Sequence, residues 1–77
     1  MRQLTLLTRP GCHLCDDARI VVLAAAGDAG WAMIELNVDD DDELRAEFGD
    51  MVPVVLVNGV THGYFHVDPV RLRKALV

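Results

Sequence analysis

Residues 4–15 read Leu4-Thr5-Leu6-Leu7-Thr8-Arg9-Pro10-Gly11-Cys12-His13-Leu14-Cys15, and the expectations for the rest of the chain grow out from them. Leu4 to Thr8 is a compact apolar run suited to a strand. Pro10-Gly11 interrupts it, since proline removes a backbone donor and glycine tolerates turn geometry. Beyond the break, Leu14, Ala18, Val21, Val22 and Ala25 fall on one stripe of a 3.6-residue period, which predicts a helix from about His13 to about Ala26. Gly27 and Gly30 mark its end. Cys12 therefore stands where the chain leaves a tight turn and enters a helix.

Downstream, Ala32, Ile34, Leu36 and Val38 alternate with Trp31, Met33, Glu35 and Asn37, the period of a half-covered strand at a sheet edge. Asp39 to Asp42 offers side-chain oxygens to cap a short helix, with Glu43 three residues after Asp40 as in a capping box. Leu44 and Phe48 give that helix its inward face. Val54-Val55-Leu56-Val57 does not alternate and suits a central strand covered on both faces. Asn58-Gly59 predicts a type I′ hairpin leading into a strand from Val60 to about His66. Asp68-Pro69 reads as N-cap and first helical position. Leu72, Ala75 and Leu76 form the buried stripe there, and Arg71, Arg73 and Lys74 the solvated side.

The order βαβαββα makes this an α/β fold. A helical crossover between the first two strands makes them parallel and right-handed in connection, and the hairpin is antiparallel, so a four-stranded mixed sheet flanked by helices is expected. With 77 residues there is room for a single domain, 1–77, around one core. A formal net charge of -5 repels phosphate backbones and anionic membrane surfaces, so neither nucleic acid nor membrane is an expected partner. Arg71, Arg73 and Lys74 do not change that balance. The segment Met1 to Leu7 has too short an apolar run for a secretory leader before Arg9-Pro10-Gly11, and no run reaches membrane-spanning length. A cytoplasmic monomer is the expectation.

Cys12 and Cys15 are the only cysteines. A bond between them would close almost no loop and add little stability through chain entropy, so their spacing points to chemistry. At a helix start, the sulfur of Cys12 meets unpaired backbone N–H groups and the positive end of the helix dipole, both of which favour thiolate. Arg9 and His13 would add to this, and Asp16 and Asp17 oppose it. Cys15 falls at the border of the apolar stripe. Cys12 is then the exposed nucleophile that attacks a disulfide, and Cys15 the sheltered thiol that resolves the mixed disulfide.

The alternative is a non-enzymatic module on the same fold, in which the thiols bind a metal or iron-sulfur cluster, or in which the fold serves only for docking. His62 and His66 would formally complete a Cys2His2 zinc set, but the long gap from Cys15 and their place on one strand face do not converge on a metal, so no metal ligand is assigned. Asp39 to Asp42 lacks the glycine and glutamate of a calcium loop. Trp31, Tyr64 and Phe65 read first as packing residues.

Thr8-Arg9-Pro10-Gly11-Cys12-His13-Leu14-Cys15 after a first strand, with Met51-Val52-Pro53 before a central one, makes the whole chain resemble a glutaredoxin of the thioredoxin superfamily. It is most similar to the small bacterial glutaredoxin-like domain proteins, and the Cys15-Asp16-Asp17-Ala18 run fits that group. The resemblance implies a thiol-disulfide oxidoreductase without a resident cofactor. It also implies a cis Val52-Pro53 bond beside the dithiol, with the Val52 backbone pairing with an extended substrate. Arg9 stands where glutaredoxins carry a lysine near the glutathione carboxylate, and His13, between the thiols, tunes their redox poise. The candidate site is thus Cys12 and Cys15, with Arg9, His13, Val52 and Pro53 around the substrate. Gly63-Tyr64-Phe65-His66-Val67-Asp68 departs from the glutaredoxin Gly-Gly signature followed by Cys-Asp-Asp, and only Asp68 remains of its γ-glutamyl-holding groups. The implied substrates are protein disulfides or mixed disulfides, and the reductant is glutathione, thioredoxin or another low-molecular-weight thiol.

Overall fold

Alternation and turn chemistry resolve into seven regular elements in the computed structural model, which describes residues 2–77. These are β1 (Gln3–Thr8), α1 (His13–Ala29), β2 (Ala32–Asn37), α2 (Asp42–Phe48), β3 (Val54–Val57), β4 (Val60–Tyr64) and α3 (Pro69–Ala75). Met1, the first residue of the N-terminal segment read above, lies outside the described residues. The sheet runs β2-β1-β3-β4, with β1 and β2 parallel and the other two pairings antiparallel. The expected α/β order and mixed sheet are what the chain forms, with β2 at an edge. No described helix is long and apolar enough to cross a membrane.

Two packed layers follow from the pleat. Leu4, Leu6 and Val55 face Ala18, Val22, Ala25 and Ala26 of α1, Leu72 within α3 and Leu76 just beyond it, forming the larger core. Leu7 and Val54 point the other way, against Val38 and Phe48, with Leu44, Met51, Val52 and Leu56 around them.

Several boundaries and faces differ from the sequence expectation. α1 continues through Gly27 to Ala29 and ends at Gly30, whose φ of 72° lets its N–H return to the Ala26 and Gly27 carbonyls. Its buried stripe includes Cys15 itself and leaves Leu14 exposed. On β2 the register pairs Leu4 with Met33 and Leu6 with Glu35, so Met33 and Glu35 lie on the α1 side. Ile34 and Leu36 occupy the opposite face, where short α2 leaves each 40% exposed.

Asp41, not Asp40, caps α2, its carboxylate accepting from the Glu43 and Leu44 N–H groups. A 3-10 turn at Val38–Asp40, capped by Asn37, occupies the residues before it. The hairpin is as expected, with Asn58 at φ 50° and Gly59 at φ 83°, the pair of positive angles a type I′ turn requires. β4 stops at Tyr64, short of His66. One step along β3 from Val55 to Leu56 matches two along β4 from Gly63 to Thr61, so His62 sits in a bulge and does not share a regular face with Tyr64. Asp68 caps α3 through the Val70 and Arg71 N–H groups. Leu72 and Leu76 are buried, while Ala75 is exposed.

Candidate active site

β1 ends at Thr8, and Arg9-Pro10-Gly11 turns the chain into α1. Gly11 takes φ 77°, a left-handed conformation costly for a residue bearing a Cβ. The next residue, Cys12, is the N-cap of α1, extended at φ -94°, ψ 109°. Its sulfur accepts the Cys15 backbone N–H at 3.1 Å, and its carbonyl accepts from Asp16 N–H at 3.2 Å. A cysteine thus does what serine or aspartate does at most helix starts, satisfying an amide that the helix cannot.

The two thiols are free and sit in different surroundings. Cys12 is half-buried, whereas Cys15 is 1% exposed within the α1 stripe. Burial, followed by the hydrogen bond of its thiol to Cys12, pushes the Cys15 thiol up to about 11. The Arg9 backbone N–H and the charge of Arg19 act in the opposite sense.

β3 brings the second half of the site to the same end of the sheet. Leu7 pairs with Val54, so continuing the antiparallel register sets Val52-Pro53 beside Thr8-Arg9, from which Cys12 follows. The Val52-Pro53 bond is cis, and Pro53 is fully buried. Val52 makes no backbone hydrogen bond among the described residues. The Phe65 N–H donates to the Pro53 carbonyl at 2.9 Å, tying the segment after β4 to this loop. Phe65 has φ 66° and meets Tyr64 edge to face, with ring centroids 5.1 Å apart.

Arg9 reaches Asp39, its Nη2 lying 3.1 Å from Oδ1. His13 is exposed. His62 and His66 lie outside this group. Burial and the charge of Arg71 hold His62 below its ordinary value. Among the described residues, no three His, Cys, Asp or Glu side chains are grouped as metal ligands.

Two parts of this end of the molecule escaped the sequence reading. One is a polar lock beside the dithiol. Arg19 donates through Nε and Nη2 to the Glu35 carboxylate at 2.6 and 2.8 Å and through Nη1 to Asp16 at 2.9 Å. The nearly buried Thr8 hydroxyl donates to the same Glu35 at 2.9 Å. Hydrogen bonding from Arg19 holds the Glu35 carboxyl below its ordinary value. The other is a cleft between α1 and the segment after β4, lined by Leu14, Asp17, Val21, Phe65, His66 and Val67. A charged residue inside an alternating strand, and Asp16 three residues before Arg19, were the available signals for the lock. Nothing local signals the cleft.

Comparison with known proteins agrees with this geometry. A family model described as glutaredoxin-like domain (DUF836) matches residues 3–77. An uncharacterized protein of Mycobacterium tuberculosis, Rv0508, is 41% identical over 76 residues, spanning 92% of this chain and 78% of that protein. The X-ray structure of protein XcR50 from X. campestris superposes with a TM-score of 0.72 at 35% identity, over 95% of this chain and 93% of that one. Thioredoxin 1 of Thermosipho africanus superposes with a TM-score of 0.66 at 13% identity, over 96% and 93%. The fold is therefore thioredoxin-like.

Proposed function

Because the chain belongs to the glutaredoxin-like domain family, we propose that it is a thiol-disulfide oxidoreductase, with Cys12 as nucleophile and Cys15 as resolving thiol. The observation that carries this reading is the asymmetry of the pair. The Cys12 sulfur sits at the helix start accepting the Cys15 N–H, and the Cys15 thiol is buried behind it and held as the protonated form. A metal site has no use for such inequality, whereas a two-step exchange needs it.

In the first step the Cys12 thiolate attacks one sulfur of a substrate disulfide R–S–S–R′. The Cys12–S–S–R bond forms, the substrate bond breaks, and R′–S⁻ leaves and takes up a proton from solvent. In the second, Cys15 gives up its proton and attacks the Cys12 sulfur. The Cys12–Cys15 bond forms and R–S⁻ leaves, taking up a proton in turn. The substrate gains two electrons and the protein pair loses two. An external thiol, either of low molecular weight or borne by a protein, returns them. Val52, whose N–H and C=O are not used by the sheet, would pair with an extended substrate.

The test is trapping. Cys15→Ser should accumulate a mixed disulfide between Cys12 and a disulfide substrate, seen as an intact mass increase that dithiothreitol removes. Cys12→Ser should neither trap nor turn over. Undiminished turnover by Cys12→Ser would refute the assignment.

A further inference from the structure

Resting on the dithiol reading, we infer that this site selects cationic polypeptide disulfides with an apolar residue beside the reacting cysteine, and discriminates against glutathione. Glutathione is an anion carrying two carboxylates, and a site that holds it needs cations free to meet them. The two guanidinium groups that flank the dithiol on the β1 and α1 side, those of Arg9 and Arg19, are already engaged by the protein's own carboxylates. Arg9 is on Asp39 at 3.1 Å, and Arg19 is on Glu35 and Asp16 at 2.6 and 2.9 Å.

The cleft beside the dithiol carries the opposite preference. It encloses about 110 Å³ between α1 and residues 65–67, room for one aliphatic side chain, and no lysine or arginine lines it. Leu14 and Phe65 on its walls are 39% and 42% exposed, apolar surface next to a reactive thiol. Its carboxylate, Asp17, stands outside the ion pairs of the described residues, whose acids are Asp39, Asp16, Glu35, Asp42 and Asp28. Leu14 and Asp17 lie two and five residues beyond Cys12 on α1, and Phe65 is bonded to Pro53. A polypeptide paired along Val52 with its cysteine at Cys12 therefore lies within reach of the cleft. The formal net charge of -5 adds long-range attraction for a cation.

The experiment follows single-turnover oxidation of the reduced protein at pH 7 by four symmetric disulfides. Three are end-blocked tripeptides, Leu-Cys-Lys, Leu-Cys-Glu and Ser-Cys-Lys, and the fourth is glutathione disulfide. Each rate constant is divided by that disulfide's rate with dithiothreitol, which removes differences in leaving-group chemistry. Leu-Cys-Lys should exceed Leu-Cys-Glu and glutathione disulfide by about tenfold at low ionic strength, with the gap narrowing as salt is added. It should exceed Ser-Cys-Lys by about threefold. Asp17→Lys should shrink the ratio of the Lys to the Glu peptide. Equal normalised rates for those two, or glutathione disulfide reacting faster than either, would overturn the charge selection. Equal rates for the Leu and Ser peptides would overturn the role of the cleft. If none of the four oxidises the protein, the dithiol reading itself fails and the inference falls with it.

Discussion

Cys12 and Cys15 are three residues apart, yet their surroundings give them separate chemistry. With the Cys15 thiol pushed up to about 11, only about a thousandth of it is thiolate at pH 8. Brief treatment of the reduced protein with iodoacetamide at that pH should therefore add one carbamidomethyl group, mapped by peptide mass to Cys12. In Cys12→Ser, Cys15 should stay slow, because burial, the largest cause of its raised value, is unchanged. Equal labelling of the two thiols would contradict this division. The inequality was legible from the helical stripe, since position 15 falls near the Ala18 and Val22 side and position 12 does not. The placement of Arg9 was not. Its type and position announce a cation beside the dithiol, but its partner Asp39 lies 30 residues away and reaches it only because β1 and β2 run parallel.

The elements around the dithiol are joined by Glu35. This residue sits on edge strand β2 but accepts from Arg19 of α1 and Thr8 of β1, binding the start of the helix to two strands. Its carboxyl is held below the ordinary 4.5 chiefly by hydrogen bonding from Arg19. The folded state thus binds fewer protons at this position than the unfolded chain. The resulting stabilisation is complete above pH 4.5 and is lost as pH falls through the lower folded value. Glu35→Gln should be less stable at pH 7, and should lose stability less steeply than the parent as the pH falls below 4.5. Urea midpoints followed by Trp31, the only tryptophan, packed against the larger core, would measure both. An unchanged acid slope would remove Glu35 from the account. Strand alternation revealed β2 but misled about its faces. The rule that apolar residues mark the covered side holds where a helix covers that side. Here α1 lies over Met33 and Glu35, and the charge is accommodated because Arg19 answers it.

At the scale of the molecule, the two faces of the sheet are unequally covered, and that inequality divides structural residues from tolerant ones. α1 and α3 cover the centre of one face, so Leu4, Leu6 and Val55 have no exposed surface. The seven-residue α2 covers only the end of the other face nearest the dithiol, where Leu7, Val54 and Phe48 pack, and leaves Ile34 and Leu36 half open. The order of elements was readable because each carries its own local period and punctuation. Coverage was not, because it depends on where a short helix lands after the chain has crossed the sheet. Two substitutions separate these environments. Leu6→Ala deletes buried volume between α1 and the sheet and should cost about 3 kcal/mol. Ile34→Thr keeps a β-branched strand residue on the open face and should cost about 1 kcal/mol or less. The urea midpoint of each against the parent is the measurement. Comparable losses would mean that the second face is covered by something other than α2, since a residue 40% exposed has too little buried area to match one with none exposed.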